Sequence, residues 1–148
     1  MRHLIDAEGL TEQVHVESAG TGAWHLGERA DRRARETASA RGITLDRYAQ
    51  QFTGPDFDRF DYVIAMDDDI RAALVRMTRE RDDVAKIHAF RKFDPDSPSG
   101  AGVPDPYYGG PDGFSDVFDI CTAGCQGLLD HLRQTHLLHH AGRADDSR

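Results

Sequence analysis

The 148 residues predict a single α/β domain built on a parallel sheet, and three features carry that reading. Strand-like and helix-like stretches alternate along the chain, the pattern of helices packed on a parallel sheet. The run Tyr62-Val-Ile-Ala-Met66 is apolar on both faces, as a strand covered from both sides must be. Near the end, Val117, Cys121, Gly124, Leu128 and Leu132 recur three or four residues apart, so a long helix turns one face to the core.

In chain order, Met1 to Glu8 reads as the end of a helix that starts without a cap and stops at Gly9. Val14-His-Val-Glu-Ser18 alternates and is β-branched, which predicts a short strand running into the turn Ala19-Gly-Thr-Gly22. Asp31 is a natural N-terminus for an alanine- and arginine-rich helix that ends at Arg41 before Gly42. Thr53-Gly-Pro-Asp56 opens a short helix, because proline is tolerated in a first turn. Asp67-Asp-Asp69 follows the Tyr62 strand and supplies caps for a helix to about Met77. A weak strand is expected around Ile87 to Phe90, and the long helix begins near Asp112. The folded domain is expected over residues 1–136, with a disordered tail at 137–148, where apolar periodicity stops.

The formal charge of −8 disfavours general binding to nucleic acid. No apolar run approaches the roughly 20 residues a membrane span needs, and the acidic start is unlike a signal peptide, so a cytoplasmic protein is expected. Cys121 and Cys125 lie one helical turn apart, where Cβ atoms are about 5–6 Å from each other. A disulfide needs about 3.5–4.5 Å, so both are expected as thiols.

The stretch VPDPYYGG at 103–110 carries the chemistry. Asp-Pro alone signals a turn. Here Pro104 and Pro106 stiffen the loop, and Tyr107 and Tyr108 set a flat aromatic wall beside the Asp105 carboxyl group. That combination suits an aromatic leaving group. A phenolate has a conjugate pKa of about 10, so an acid that protonates it as it departs can contribute on the order of 10²–10⁴ in rate.

DPYYG in this late position, VESAGT after the first readable strand, Trp24 shortly after it, FDYVIAMD in mid-chain and the terminal amphipathic helix resemble the low-molecular-weight protein tyrosine phosphatases, in that order. The resemblance runs over residues 1–136 and implies a flavodoxin-like three-layer sandwich. It also implies that Asp105 is the general acid, and that Tyr107 and Tyr108, with Trp24 opposite, line the groove for a phosphotyrosine ring. Ser18 would brace the phosphate loop, Asp67 would stand at a strand end near it, and no metal or cofactor is implied.

The same family takes its nucleophile from a Cys-x-x-x-x-x-Arg loop after the first strand, and residues 1–148 contain no such pattern. Six positions on from Cys121 stands Gly127, and from Cys125 stands His131. A thiolate, a cradle of backbone N–H groups and a bidentate arginine are what that loop supplies. The expectation is therefore a chain truncated at its N-terminus, beginning inside the helix after the loop and inactive as it stands. In a flavodoxin-like sheet of order 2-1-3-4 the first strand is central, so without it the Val14 strand is left with no neighbour. Two smaller departures concern the loop's polar support. The family often has Ala-Arg-Gln where this chain has Ala49-Gln50-Gln51, and often has histidine at the position of Arg47.

Two other functions fit parts of the pattern. One is a non-catalytic remnant that binds phosphotyrosine or a partner through the tyrosine wall. The other is an arsenate reductase of the same fold using Cys121 and Cys125 as a redox pair, although on a core helix face these read as small apolar residues. His131, His136, His139 and His140 lack a carboxylate or cysteine at helical spacing to complete a metal set, so they read as a solvated tail. The arginines from Arg29 to Arg47 read as a solvated helix face.

Overall fold

A computed structural model describes residues 1–110 and 112–139. Its regular elements are α1 (Arg2–Ala7), α2 (Arg32–Ala40), β1 (Val63–Ala65), α3 (Asp68–Met77), α4 (Arg81–Ala85), β2 (Ile87–Ala89) and α5 (Gly113–His136). Short 3-10 helices occupy Gly54–Asp58, Phe90–Phe93 and Pro106–Tyr108.

Local chemistry sets most of the boundaries. The Asp31 side chain accepts from Arg33 N–H and starts α2, while Gly42, at φ 77°, turns the chain away after it. Asp67 Oδ1 accepts from Ile70 N–H at 2.8 Å and starts α3. Thr53 and Asp56 close a reciprocal cap over the 3-10 helix that contains Pro55. Helix α4 has a comparable device, since the buried Asp83 carboxylate accepts from Arg79 and Glu80 N–H groups.

β1 and β2 pair in parallel, with Val63 opposite Ile87, Ile64 opposite His88 and Ala65 opposite Ala89. Helices α3 and α4 make the crossover between them. The fold is thus α/β with a parallel sheet, and among the described residues that sheet has two strands. Val14–Ser18 is not one of them. It has no regular secondary structure, and among the described residues its N–H groups from His15 to Ser18 form no backbone hydrogen bond. A strand needs a neighbour to close a ladder, and among the described residues no strand pairs with this segment. Its side-chain alternation survives, because Val14 and Val16 pack inward against Ile5, Leu10 and Leu129. What continues from it is an isolated parallel bridge between Gly20 and Gln51.

The apolar interior is correspondingly divided. One cluster, Phe52, Phe57, Val63, Ala65, Leu74 and Ile87, lies around the sheet. The second, Ile5, Leu10 and Leu129, joins α1 to α5. Helix α5 approaches the 3-10 helix at Phe90–Phe93 so closely that a Cβ on Gly127 would overlap the Phe93 carbonyl oxygen, and one on Gly124 would overlap the Phe90 ring.

The end of α5 is more engaged than a solvated tail. Tyr62 Oη and His136 Nε2 are 2.9 Å apart, and the His131 ring packs against both Tyr62 and Phe93. Leu138 packs on the second cluster, and Gln13 Nε2 donates to the His139 carbonyl at 2.7 Å. The remainder of the expected tail, His140 to Arg148, lies outside the described residues. No described helix is long and apolar enough to cross a membrane.

Candidate active site

The loop bearing Asp105 is tied to the C-terminal end of β1. Val103 N–H donates to Met66 O at 2.8 Å, and Arg91 Nη1 donates to Gly102 O at 3.1 Å. Gly102 lies against Asp67, where an added Cβ would come within 3.0 Å of the Asp67 Cβ. Glycine is therefore what lets the loop approach the strand end. Asp67 itself is committed to capping α3, so it acts as a fixed abutment beneath the loop.

Asp105 is also a cap. Its Oδ1 accepts from Tyr107 N–H at 2.9 Å and opens the one-turn helix Pro106–Tyr108. This single hydrogen bond sets the spacing between the carboxylate and the tyrosines. The two tyrosine rings meet edge to face at 5.2 Å, a favourable arrangement for aromatic quadrupoles. Both are open to solvent, at 63% for Tyr107 and 84% for Tyr108. Exposed, ordered rings beside an oxygen acid form a surface on which another ring can lie.

Behind the loop, Asp105, Pro106, Gly109, Asp112, Gly113 and Asp116 line most of a cavity of about 260 Å³ that ends on α5. Three carboxylates there repel a phosphate dianion, so this cavity is not the anion's seat.

The remaining expected residues are placed differently. Trp24 is 82% exposed, with its ring folded over Gly22, and no ring contact joins it to either tyrosine. Ser18 presents its carbonyl to Gln50 Nε2 at 2.9 Å. Gln50 also reaches Glu17 at 3.4 Å, so the glutamine that replaces the family's arginine ties the 43–52 connection to the segment ending at Ser18. Glu17 in turn pairs with Arg59 at 3.1 Å.

The two cysteines lie on the long helix, and Cys121 is not set up as a nucleophile. Both are free, half-buried thiols on α5. Burial, and then the neighbouring Cys125, push the Cys121 thiol above its ordinary range. A nucleophilic cysteine needs the opposite shift. Among the described residues no group of His, Cys, Asp and Glu could hold a metal ion.

One contact was beyond sequence reasoning. Arg33, read above as part of a solvated face, lies with its guanidinium carbon 5.2 Å from the centre of the Tyr107 ring and 4.6 Å from that of Phe114. No sequence signal links positions 33 and 107.

A model of the family "Low molecular weight phosphotyrosine protein phosphatase" matches residues 1–137. A low molecular weight protein-tyrosine-phosphatase of Streptomyces coelicolor is 40% identical over 134 residues, covering 90% of this chain and 82% of that protein. The Homo sapiens low molecular weight phosphotyrosine protein phosphatase is 30% identical over 130 residues, covering 87% and 81%. Among solved structures, the Entamoeba histolytica protein tyrosine phosphatase with Hepes in its active site superposes with a TM-score of 0.84 at 35% identity, covering 91% of this chain and 85% of that one. YfkJ of Bacillus subtilis gives 0.82 at 32% identity, covering 90% and 82%. The two-stranded parallel sheet and its helices are therefore part of a flavodoxin-like α/β fold, and the chain belongs to the low molecular weight phosphotyrosine protein phosphatase family.

Proposed function

We propose that the chain provides the general acid and the substrate wall of a phosphotyrosine phosphatase, whose turnover depends on a thiolate loop that residues 1–148 do not contain. The observation that carries this is the Asp105 loop: a carboxylate held one hydrogen bond away from an ordered, exposed tyrosine pair. In this reading a cysteine thiolate attacks phosphorus and the P–O bond to the tyrosine breaks. Asp105 gives its proton to the departing phenoxide oxygen. Its carboxylate then takes a proton from water, which attacks phosphorus, breaks the P–S bond and releases inorganic phosphate. Tyr107 and Tyr108 hold the ring of the substrate, with Trp24 opposite. Ser18 and Asp67 stand as support for the phosphate loop, and Asp67 also abuts the Asp105 loop at Gly102.

In this chemistry Asp105 supplies proton transfer and no nucleophile, so residues 1–148 alone leave p-nitrophenyl phosphate intact. The test uses that chain beside one extended ahead of Met1 with a strand and Cys-x-x-x-x-x-Arg loop taken from a catalytically complete relative. The extended chain should hydrolyse the ester. Asp105→Asn should lower its kcat by roughly 10²–10⁴, and by less for leaving groups that need no proton. Equal losses across a series of leaving-group pKa values would remove Asp105 from the role of acid. Turnover by the 148-residue chain that Cys121→Ser or Cys125→Ser abolishes would transfer the nucleophile to α5.

A further inference from the structure

Asp31 does more than start α2. Its Oδ1 accepts both the Arg33 N–H at 2.8 Å and the Arg33 Nε at 3.2 Å, while Oδ2 accepts Nη2 at 3.1 Å. The guanidinium is thus held by its edge, close to the helix that carries it, and its two flat faces remain available. Onto it pack two aromatic rings from different parts of the chain. Tyr107 belongs to the turn that follows Asp105, and Phe114 is the second residue of α5. An arginine just past the end of α2 also stacks on α5, since Arg41 lies 4.5 Å from the centre of the Phe118 ring and pairs with Asp119. Arg41 thus ties the end of α2 to α5. Arg33 reaches past that joint to the exposed tyrosine.

Among the described residues, the Tyr107 ring has its aromatic and cationic contacts with Tyr108 and Arg33. Tyr108 is itself the more exposed ring and makes no other aromatic contact there. The orientation of the pair consequently depends on the one partner that is fixed from elsewhere. An arginine clamped along one edge is suited to this, because its plane defines the plane a ring must adopt, whereas an ammonium group would leave the ring free to turn.

We propose that Arg33, clamped by Asp31, is a positioning residue that sets the Tyr107 ring at the angle on which an aromatic substrate stacks. The proposal deepens the phosphatase reading and rests on it for the identity of the substrate. Arg33 touches no reacting atom. Its loss should weaken recognition of the ring and leave recognition of a non-aromatic phosphate ester as it was.

Two measurements separate this proposal from the reading beneath it. In the first, NMR of the 148-residue chain follows the Tyr107 ring signals and the Arg33 side-chain methylene protons, which ring currents displace when the stack forms. Arg33→Met should move the Tyr107 signals and Arg33→Lys should restore them only in part, while Asp31→Asn should return the methylene protons toward unstacked positions. Tyr107 signals that are identical in the parent chain and in Arg33→Met overturn the proposal, whatever the enzyme does. In the second, the extended chain bearing the thiolate loop is assayed with p-nitrophenyl phosphate and with glycerol phosphate. Arg33→Met should raise KM for the aryl ester roughly 2- to 5-fold, more than it lowers kcat, without a matching rise for glycerol phosphate. Equal KM increases for both esters overturn the proposal, since they mean general loss of structure. If the extended chain hydrolyses neither ester while the Tyr107 signals still respond to Arg33→Met, the phosphatase reading falls and Arg33 keeps its role toward Tyr107. Should the short chain give no dispersed spectrum, the same signals are read in the extended chain.

Discussion

Asp105 accepts a hydrogen bond from the N–H of Tyr107 at 2.9 Å, so the side chain proposed as the proton donor also shapes the loop. The two roles can be separated by substitution. Asparagine caps about as well as aspartate but cannot donate a carboxylic proton. Asp105→Asn should keep the Tyr107 amide protected from hydrogen exchange, whereas Asp105→Ala should expose it, with a cap loss of about 0.5–2 kcal/mol. Equal protection in the two variants would mean that the loop is shaped by Pro104 and Pro106 alone.

Cys121 offers a prediction of opposite sign to that for a catalytic thiol. Burial holds its pKa above the ordinary value, so the thiolate is scarce at neutral pH. Alkylation by iodoacetamide, followed by mass spectrometry, should be slow at pH 7 and accelerate only above about pH 8.5, with urea-unfolded chain reacting earlier in the titration. Rapid labelling of folded chain at pH 7 would restore the redox reading of the cysteine pair.

The imidazole of His88 should make stability depend on pH. Burial first, then the Lys92 ammonium and His131, lower its pKa. Lys92 Nζ also lies 2.6 Å from His88 Nδ1, where a neutral ring can accept its proton. Because the folded pKa is depressed, the stabilisation from the neutral form is complete above the unfolded value of about 6.5 and is lost as the pH falls through it. Melting temperature measured by circular dichroism should fall between pH 7.5 and 5.5, and His88→Gln should flatten that slope. Parallel curves for parent and variant would place the dependence on other groups.

Gly127 tests the seam between α5 and the Phe90–Phe93 turn. An alanine gains at most about 1 kcal/mol of helix propensity, yet its Cβ would overlap a backbone carbonyl that cannot rotate away. Overpacking of this kind costs about 1–3 kcal/mol, so Gly127→Ala should lower the melting temperature by several degrees. Gly110→Ala, where nothing stands within 4 Å, should change it by no more than about a degree or two. Equal melting temperatures for the two variants would show that the seam yields more easily than its geometry implies.

Much of this protein is decided over short stretches of chain. Asp31, Thr53 and Asp67 cap their own helices within three residues, and Gly42 supplies a positive φ where α2 stops. Such contacts form whatever the distant chain does, which is why helices α2, α3 and α5 and the apolar strand at Val63–Ala65 were readable in order. The Asp105 loop was readable for the same reason, since its prolines, its cap and its tyrosine pair are all neighbours. Helix α4 was local too, but its cap uses glutamate and a buried aspartate, a pattern less distinctive than the others.

Tertiary structure decided what depends on partners far along the chain. Val14–Ser18 has the alternation of a strand, and alternation fixes which side chains face inward, but a ladder requires a neighbour that only the assembled fold can bring. The histidines of α5 looked solvated until Tyr62 came to lie against them, 74 residues away from His136. Nothing in the sequence marks Gly127, and only the packing of α5 sets the Phe93 carbonyl in the space its side chain would need. Arg33 was one arginine among several on a charged helix, and only the packing of α2 on α5 set its flat face against Tyr107. Sequence determined the local geometry and the chemistry each residue could offer. Which residues share that chemistry depended on long-range contacts, because stacking and close packing are fixed by the relative positions of whole elements.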